Sequence, residues 1–80
     1  MKVIVVGKSR RAGKSKKGKN YDFTTLMVEY SLRANDDNDG VQVDRINVDA
    51  RIMPYALIVV GATYYLDFDR NGYLFGIEEV

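Results

Sequence analysis

Basic residues are concentrated in the first quarter of the chain, directly before two aromatic residues. Lysine and arginine side chains neutralise phosphates and release their counterions, while aromatic rings offer unpaired nucleobases a flat surface for stacking. Tyr21 and Phe23 are the aromatic candidates for such contacts. The basic candidates are Lys8, Arg10, Arg11, Lys14, Lys16, Lys17 and Lys19. Together these residue types indicate a surface that captures phosphates and stacks bases.

The formal net charge conceals this concentration. Twelve Lys and Arg against eleven Asp and Glu leave a net charge of only +1, which taken alone disfavours a nucleic-acid partner. Residues 1–21, however, carry eight basic residues and no acid, a charge of +8, while residues 22–80 carry four arginines and all eleven acids, a charge of −7. This asymmetry indicates a polyanion-binding surface attached to an acidic body that keeps the protein soluble.

Composition and length exclude several classes of protein. The chain has no cysteine, which excludes a disulfide framework and thiolate metal sites, and it has no histidine, the commonest general base. We therefore expect a protein that is not an enzyme and that binds neither a metal nor a small-molecule cofactor.

The 80 residues have ordinary globular composition and predict one domain, residues 1–80. So short a chain buries only about 60% of its unfolded surface, which favours a homodimer. The longest apolar run, residues 56–60, is far below the ~20 residues of a membrane span, so we expect a cytoplasmic protein with no membrane partner.

Three patterns resemble catalytic or metal-binding motifs but lack the spacing, the ligands or the partners that those motifs require. Five residues separate Gly7 from Gly13, where a phosphate-binding loop requires four. Residues 35–40 resemble a calcium loop, but they begin with Asn and are followed by Ile46 where a bidentate Glu is required. The neighbouring acids at residues 67 and 69 and at 78 and 79 have no partner that would indicate acid–base chemistry. These segments are expected to be structural or solvated.

The remaining pattern is one of short strands separated by turns. No stretch shows sustained helical spacing of apolar residues, whereas β-branched or alternating runs predict strands. The predicted strands are residues 3–6, 21–32, 41–48, 63–68 and 73–77. The sequence therefore predicts an all-β domain, a small antiparallel barrel, because an open sheet of this size would leave long exposed edges.

The segments between these strands differ in how clearly they can be assigned. Residues 8–20 are too polar to bury a face and predict a solvated loop or the protruding end of a hairpin. Residues 33–40 predict a polar turn, and Asn71-Gly72 is the pair favoured in type I′ hairpin turns. Residues 56–60 fit either a short strand or a helical turn.

Tyr21 and Phe23 share one side of their strand, since side chains alternate with period two. Thr25 and Met27 continue this side, and the interleaved Asp22 is polar, so at least one of the two rings is expected to face solvent. The alternative is that the basic segment is only a solvated hairpin and that both rings belong to the core.

The segment from Arg11 to Tyr21 resembles a segment of a known family. Its sequence, Arg-Ala-Gly-Lys-Ser-Lys-Lys-Gly-Lys-Asn-Tyr, is similar to the Arg-x-Gly-x-Ser-x-x-Gly-x-x-Tyr segment of the single-stranded-DNA-binding, helix-destabilising proteins of filamentous phages, of the gene V type. Those proteins are also eighty-odd residues long, and residues 61–73 resemble their closing hairpin. The remainder matches only in length and in the order of elements.

The resemblance implies a five-stranded OB-fold barrel, a two-fold dimer and largely sequence-independent coating of single-stranded DNA during phage or plasmid replication. By the same resemblance, Arg11 and Lys16 lie where the family contacts phosphates, Tyr21 and Phe23 where it stacks bases, and Tyr73 near the aromatic residue of its closing hairpin. This chain departs from the family at its end, where Glu78 and Glu79 stand in place of basic residues. That difference concentrates the expected affinity in residues 8–19.

The residue patterns and the resemblance together predict a non-enzymatic single-stranded-DNA-binding protein of the bacterial host cytoplasm, with an OB-like barrel, a protruding basic hairpin loop and a homodimeric state. Glycines 13 and 18 are expected to keep the loop mobile. An RNA-binding translational regulator on the same barrel is one alternative, because charge and stacking do not distinguish the sugars. A small protein-interaction module whose basic loop docks on an acidic partner is another.

Overall fold

The computed structural model describes residues 1–31 and 40–80. Strand β1 spans Lys2–Lys14, β2 Asn20–Ser31, β3 Val41–Asp49, β4 Thr63–Phe68 and β5 Leu74–Glu79. One 3-10 turn, Tyr55–Leu57, lies between β3 and β4, and these residues contain no α-helix. The all-β prediction is confirmed.

The five strands form a single antiparallel sheet in the order β3-β2-β1-β4-β5. The two edge strands, β3 and β5, do not pair with each other in the described part of the chain, so the sheet is open between them. A pocket of about 240 Å³ separates β3 from the β4–β5 hairpin, with Arg45 and Asn47 on one side and Phe68 and Tyr73 on the other. The structure thus has the five antiparallel strands of the predicted barrel without its closing strand pair.

The first strand is much longer than predicted. We expected it to end at Gly7, but β1 continues for 13 residues to Lys14 and pairs with β2 along its length. Thirteen extended residues span roughly 43 Å, which accounts for the 48 Å long axis of the molecule. Residues 8–14 are therefore one arm of a protruding hairpin, the second of the two alternatives for this segment.

The core lies on one face of the sheet, which we call the inner face. It combines alternate residues of β1 to β4 with Ile58 from the connection before β4. Its fully buried apolar side chains are Val3, Val5, Leu26, Val28, Val48, Ile58, Tyr64 and Leu66. We call the opposite face the outer face, and in the described residues it carries none of the fully buried core side chains.

The two tight hairpins use the same turn. Gly18 and Gly72 have φ of 78° and 82°, and their amides donate to the carbonyls of Ser15 and Asp69, three residues earlier. The side-chain oxygens of Ser15 and Asp69 accept the amides of Lys19 and Tyr73. This is a three-residue loop closed by glycine in the left-handed region. The predicted type I′ turn at Asn71-Gly72 is wrong, because that turn requires positive φ at both residues and, in the described chain, Asn71 does not have it.

A hydrogen bond to the buried Tyr64 helps to hold the connection between β3 and β4. The 3-10 turn resolves residues 56–60, which fitted either a strand or a helical turn, and Ile58 after it is extended. The Oη atom of Tyr64 accepts the amide of Val59 at 2.9 Å. The predicted turn at residues 33–40 lies outside the described residues except for Gly40.

Candidate nucleic-acid interface

Pairing of β1 with β2 places Arg11, Tyr21 and Phe23 on the outer face. Arg11 lies directly opposite Phe23, and Gly13 directly opposite Tyr21. The two rings are tilted by 39° with their centroids 6.0 Å apart. Neither ring belongs to the buried core or packs against it, so the interpretation of both as core residues is wrong.

A β-bulge at Val6 determines which basic residues accompany these rings. The register shifts between Val5 and Gly7, so the alternation that puts Val5 on the inner face is reversed beyond the bulge. As a result, Arg11 lies beside Phe23 on the outer face, while Arg10 lies on the inner face. Bulges re-aim side chains in this way wherever one extra residue enters a ladder.

Glycine at position 13 makes room for the Tyr21 ring. A Cβ atom built on Gly13 would lie 3.0 Å from Oη and 3.3 Å from Cζ of Tyr21. The ring therefore lies across the backbone of β1 and keeps one face toward solvent, with 43% of the residue exposed. Gly13 acts by this close approach and Gly18 by its turn conformation, which differs from the predicted role of loop mobility.

Arg10 makes a bidentate ion pair with Asp22 on the inner side of the hairpin. Its Nε and Nη2 atoms donate to the two carboxylate oxygens, each at 2.9 Å. These hydrogen bonds hold the pKa of Asp22 below its ordinary value and raise the pKa of Arg10, so the pair is fully ionised at neutral pH. Both side chains are exposed, and such a pair contributes little to stability. Its effect is to occupy the Arg10 guanidinium.

The Lys8 side chain contacts Tyr55 in the connection between β3 and β4. Its Nζ atom donates to the carbonyl of Tyr55 at 2.8 Å and lies 3.9 Å from the centroid of the Tyr55 ring. A cation–π contact combined with a hydrogen bond anchors the 3-10 turn against β1. Lys8, like Arg10, thus points away from the outer face.

The other predicted basic residues surround the tip of the hairpin. Lys14 ends β1 opposite Asn20, and Ser15 and Lys19 close the turn through the 2.8 Å bond from the Ser15 amide to the Lys19 carbonyl. Lys16 and Lys17 occupy the turn itself, and every residue from 9 to 21 is exposed. The tip therefore presents a cluster of exposed positive charge.

A groove runs along the outer face next to the aromatic pair. Its volume is about 480 Å³, within the ~300–1,000 Å³ of clefts that hold small ligands. We call it the outer groove, and it is lined by Ser9, Arg11, Phe23, Thr25, Met27, Arg45 and Asn47. Three strands thus contribute to one surface, in which Arg11 and Phe23 are the predicted members.

Five of the groove residues were not predicted as site residues, and two of them, Arg45 and Asn47, come from β3. They enter from β3, where Arg45 pairs with Met27 and Asn47 with Thr25. The available signal was the alternation of β3, which puts Arg45 and Asn47 on one side. That signal does not show that this side joins the outer face of β2, because the pairing register of the two strands is set elsewhere.

Tyr73 lies at the tip of the β4–β5 hairpin and is 71% exposed. It borders the 240 Å³ pocket that also touches Arg45 and Asn47, so this hairpin adjoins the outer groove across β3. Glu78 and Glu79 pair with Tyr65 and Tyr64 at the far edge of the sheet. The structure thus brings Tyr73 near the groove and places the two terminal acids at the opposite end of the same β4–β5 hairpin.

In the described residues, no structure corresponds to the phosphate-loop and metal-site patterns that were rejected from the sequence. Gly7 and Gly13 both lie within β1, so no phosphate-binding loop connects them. Residues 35–39 of the calcium-like segment lie outside the described residues. Across residues 1–31 and 40–80, no three acidic side chains form a cluster that could hold a metal ion. No helix in the same residues has the length and apolar character needed to cross a bilayer.

Comparison of the chain with protein-family models, with curated proteins and with solved structures finds no match. The functional assignment therefore depends on the geometry of the hairpin and the outer groove.

Proposed function

We propose that this protein binds single-stranded DNA without catalysing a reaction, largely independently of sequence, during phage or plasmid replication in the bacterial cytoplasm. The observation that carries the proposal is the common face of Arg11, Tyr21 and Phe23 on a basic hairpin beside the outer groove. The positive charge at the tip of the hairpin binds the phosphate backbone of the DNA, and the rings of Tyr21 and Phe23 then stack on its bases. Every base has a π-face, so stacking tolerates any sequence.

Stacking on these rings requires an unpaired strand. In a duplex the base faces are already stacked on one another, and proteins that read duplexes commonly insert a helix into the major groove. The described residues contain no such helix. Stacking on the two rings uses base faces that are exposed only when the strands are separated. Binding therefore favours the separated strands, which is the physical basis of helix destabilisation.

An OB-type barrel is part of the proposal. The order β3-β2-β1-β4-β5 is the one obtained when a five-stranded barrel is opened between β3 and β5. OB folds are partly open barrels that bind oligonucleotides on the face of β2 and β3 and on the β1–β2 and β4–β5 loops. The outer groove, the basic turn at residues 15–19 and Tyr73 occupy those three places, which supports the assignment.

A homodimer is also part of the proposal, and exposed apolar residues support it. Ile4 and Val6 are exposed on β1, as are Val59 and Val60 in the adjoining connection. The connection is joined to β1 by the Gly61 amide, which donates to the Val5 carbonyl at 2.7 Å. An apolar surface of this kind is typical of an interface, and sedimentation equilibrium of the free protein distinguishes one chain from two.

Titration with oligothymidine tests the binding function directly. We expect the tyrosine fluorescence to be quenched, because Tyr21 stacks on a base, and the affinity to fall linearly on a log–log plot of salt, with a slope of about −0.7 per phosphate contacted. Titrations with oligodeoxyuridine and oligouridine of the same length, which differ only in the sugar, measure the preference for DNA over RNA. The absence of both quenching and binding at low salt would sink the proposal.

Replacing Arg11 with alanine should weaken binding and reduce the salt slope by about 0.7, because one phosphate contact is lost. Arg10→Ala is the matched control, since it removes the same charge one residue away. Arg10 is paired with Asp22 on the inner side of the hairpin, so its loss should leave the slope nearly unchanged. Equal slopes for the two variants would show that the strand faces defined by the Val6 bulge do not govern binding.

A further inference from the structure

The outer groove presents a particular set of hydrogen-bonding groups. The Thr25 hydroxyl donates to Oδ1 of Asn47 at 2.8 Å, across the β2–β3 pair. This bond uses the carbonyl end of the amide and leaves the two N–H donors of Nδ2 for a ligand. Asn47 is exposed, so these donors are accessible from the groove that it lines.

The charged residues of the groove add only donors. Arg11 and Arg45 carry guanidinium groups, which donate hydrogen bonds and cannot accept them. Among the residues that the structure describes, none that lines the groove carries a carboxylate. A ligand in the groove therefore meets an excess of donors, with Phe23 and Met27 supplying apolar surface beside them.

We propose that the outer groove is a nucleobase subsite that prefers bases with a carbonyl oxygen at C4 of the pyrimidine or C6 of the purine, namely uracil or thymine and guanine, over cytosine and adenine, which carry an amino group there. An amino group at that position would meet the Asn47 donors with a donor of its own, whereas a carbonyl oxygen at the same position accepts from them. This inference depends on the proposed function and adds a base preference to it. The loss of one hydrogen bond corresponds to about a threefold to tenfold change in affinity.

Oligodeoxyuridine and oligodeoxycytidine of equal length provide the test. The two pyrimidines have nearly the same size, so stacking alone predicts a ratio of affinities near one, whereas the groove predicts about threefold to tenfold tighter binding of oligodeoxyuridine. Asn47→Asp replaces the two donors with an acceptor and should abolish or reverse this ratio. Asn71→Asp is the control, because it adds the same charge in the exposed β4–β5 turn, and it should weaken both ligands equally and preserve the ratio.

The outcomes separate this inference from the proposed function. If the wild type binds both oligomers with equal affinity, the base preference is wrong and single-strand binding stands. If the preference persists unchanged in Asn47→Asp, it does not come from Asn47 and the inference is overturned. If the wild type binds neither oligomer at low salt, both the inference and the proposed function are wrong.

Discussion

Replacing Phe23 with alanine should weaken the binding of oligothymidine by roughly 5- to 150-fold, the equivalent of one lost base stack of about 1–3 kcal/mol. The salt slope should stay the same, because the ring contacts no phosphate. The free energy of unfolding should fall by less than the ~3–5 kcal/mol of a fully buried phenylalanine, since Phe23 is only partly buried and pairs with Tyr21 outside the core. Fluorescence titration at several salt concentrations and urea denaturation measure the two effects.

Tyr65→Ala is the control for this substitution. Tyr65 is also an aromatic residue of a strand, and at 45% exposed it does not line the outer groove. Its removal should leave the affinity for oligothymidine unchanged. If both variants bind oligothymidine equally weakly, the position of Phe23 beside the outer groove does not explain its effect. If Phe23→Ala fails to fold, the ring of Phe23 has a structural role instead.

The face shared by Tyr21 and Phe23 could be predicted because it is a local property of one strand. Period-two alternation over residues 21–27 needs no knowledge of neighbouring strands, and the structure confirms it. The hairpin turns had a local signal too, since Ser15 and Asp69 each stand three residues before a glycine. That pattern is typical of a type I turn followed by glycine in the left-handed region.

The face of Arg11 could not be predicted in the same way. Strict alternation from the buried Val3 and Val5 puts Arg11 on the inner face and Arg10 on the outer face. One unpaired residue, Val6, exchanges them, and a bulge is set by how two strands twist against each other. The extension of β1 to Lys14 was equally hidden, because its far half makes backbone pairs without burying side chains.

The contribution of β3 to the groove depends on the register between two strands. Arg45 reaches the groove only because it pairs with Met27, and Asn47 only because it pairs with Thr25. A shift of one residue would send both side chains to the inner face. Residues 41–49 alone therefore cannot assign these two residues to the site.

Leu26→Ala should reduce the free energy of unfolding by about 2–5 kcal/mol, the usual result of truncating a buried leucine. Leu26 is 0% exposed and lies between Lys8 of β1 and Ile46 of β3. A domain of 80 residues has a total stability of only about 4–12 kcal/mol, so this single change removes a large part of it. Urea denaturation should show a lower midpoint with an unchanged slope.

Val43→Ala is the matched control, because it truncates an apolar residue of the neighbouring strand that is 65% exposed. It should cost less than about 1 kcal/mol, the range of strand propensity at an edge. Leu26 also lies between Thr25 and Met27, which line the outer groove from the other face of β2. At a temperature where Leu26→Ala remains folded, its affinity for oligothymidine should therefore equal that of the wild type. A loss of affinity in the folded variant would mean that core packing controls the shape of the groove and that the two faces of β2 do not act independently.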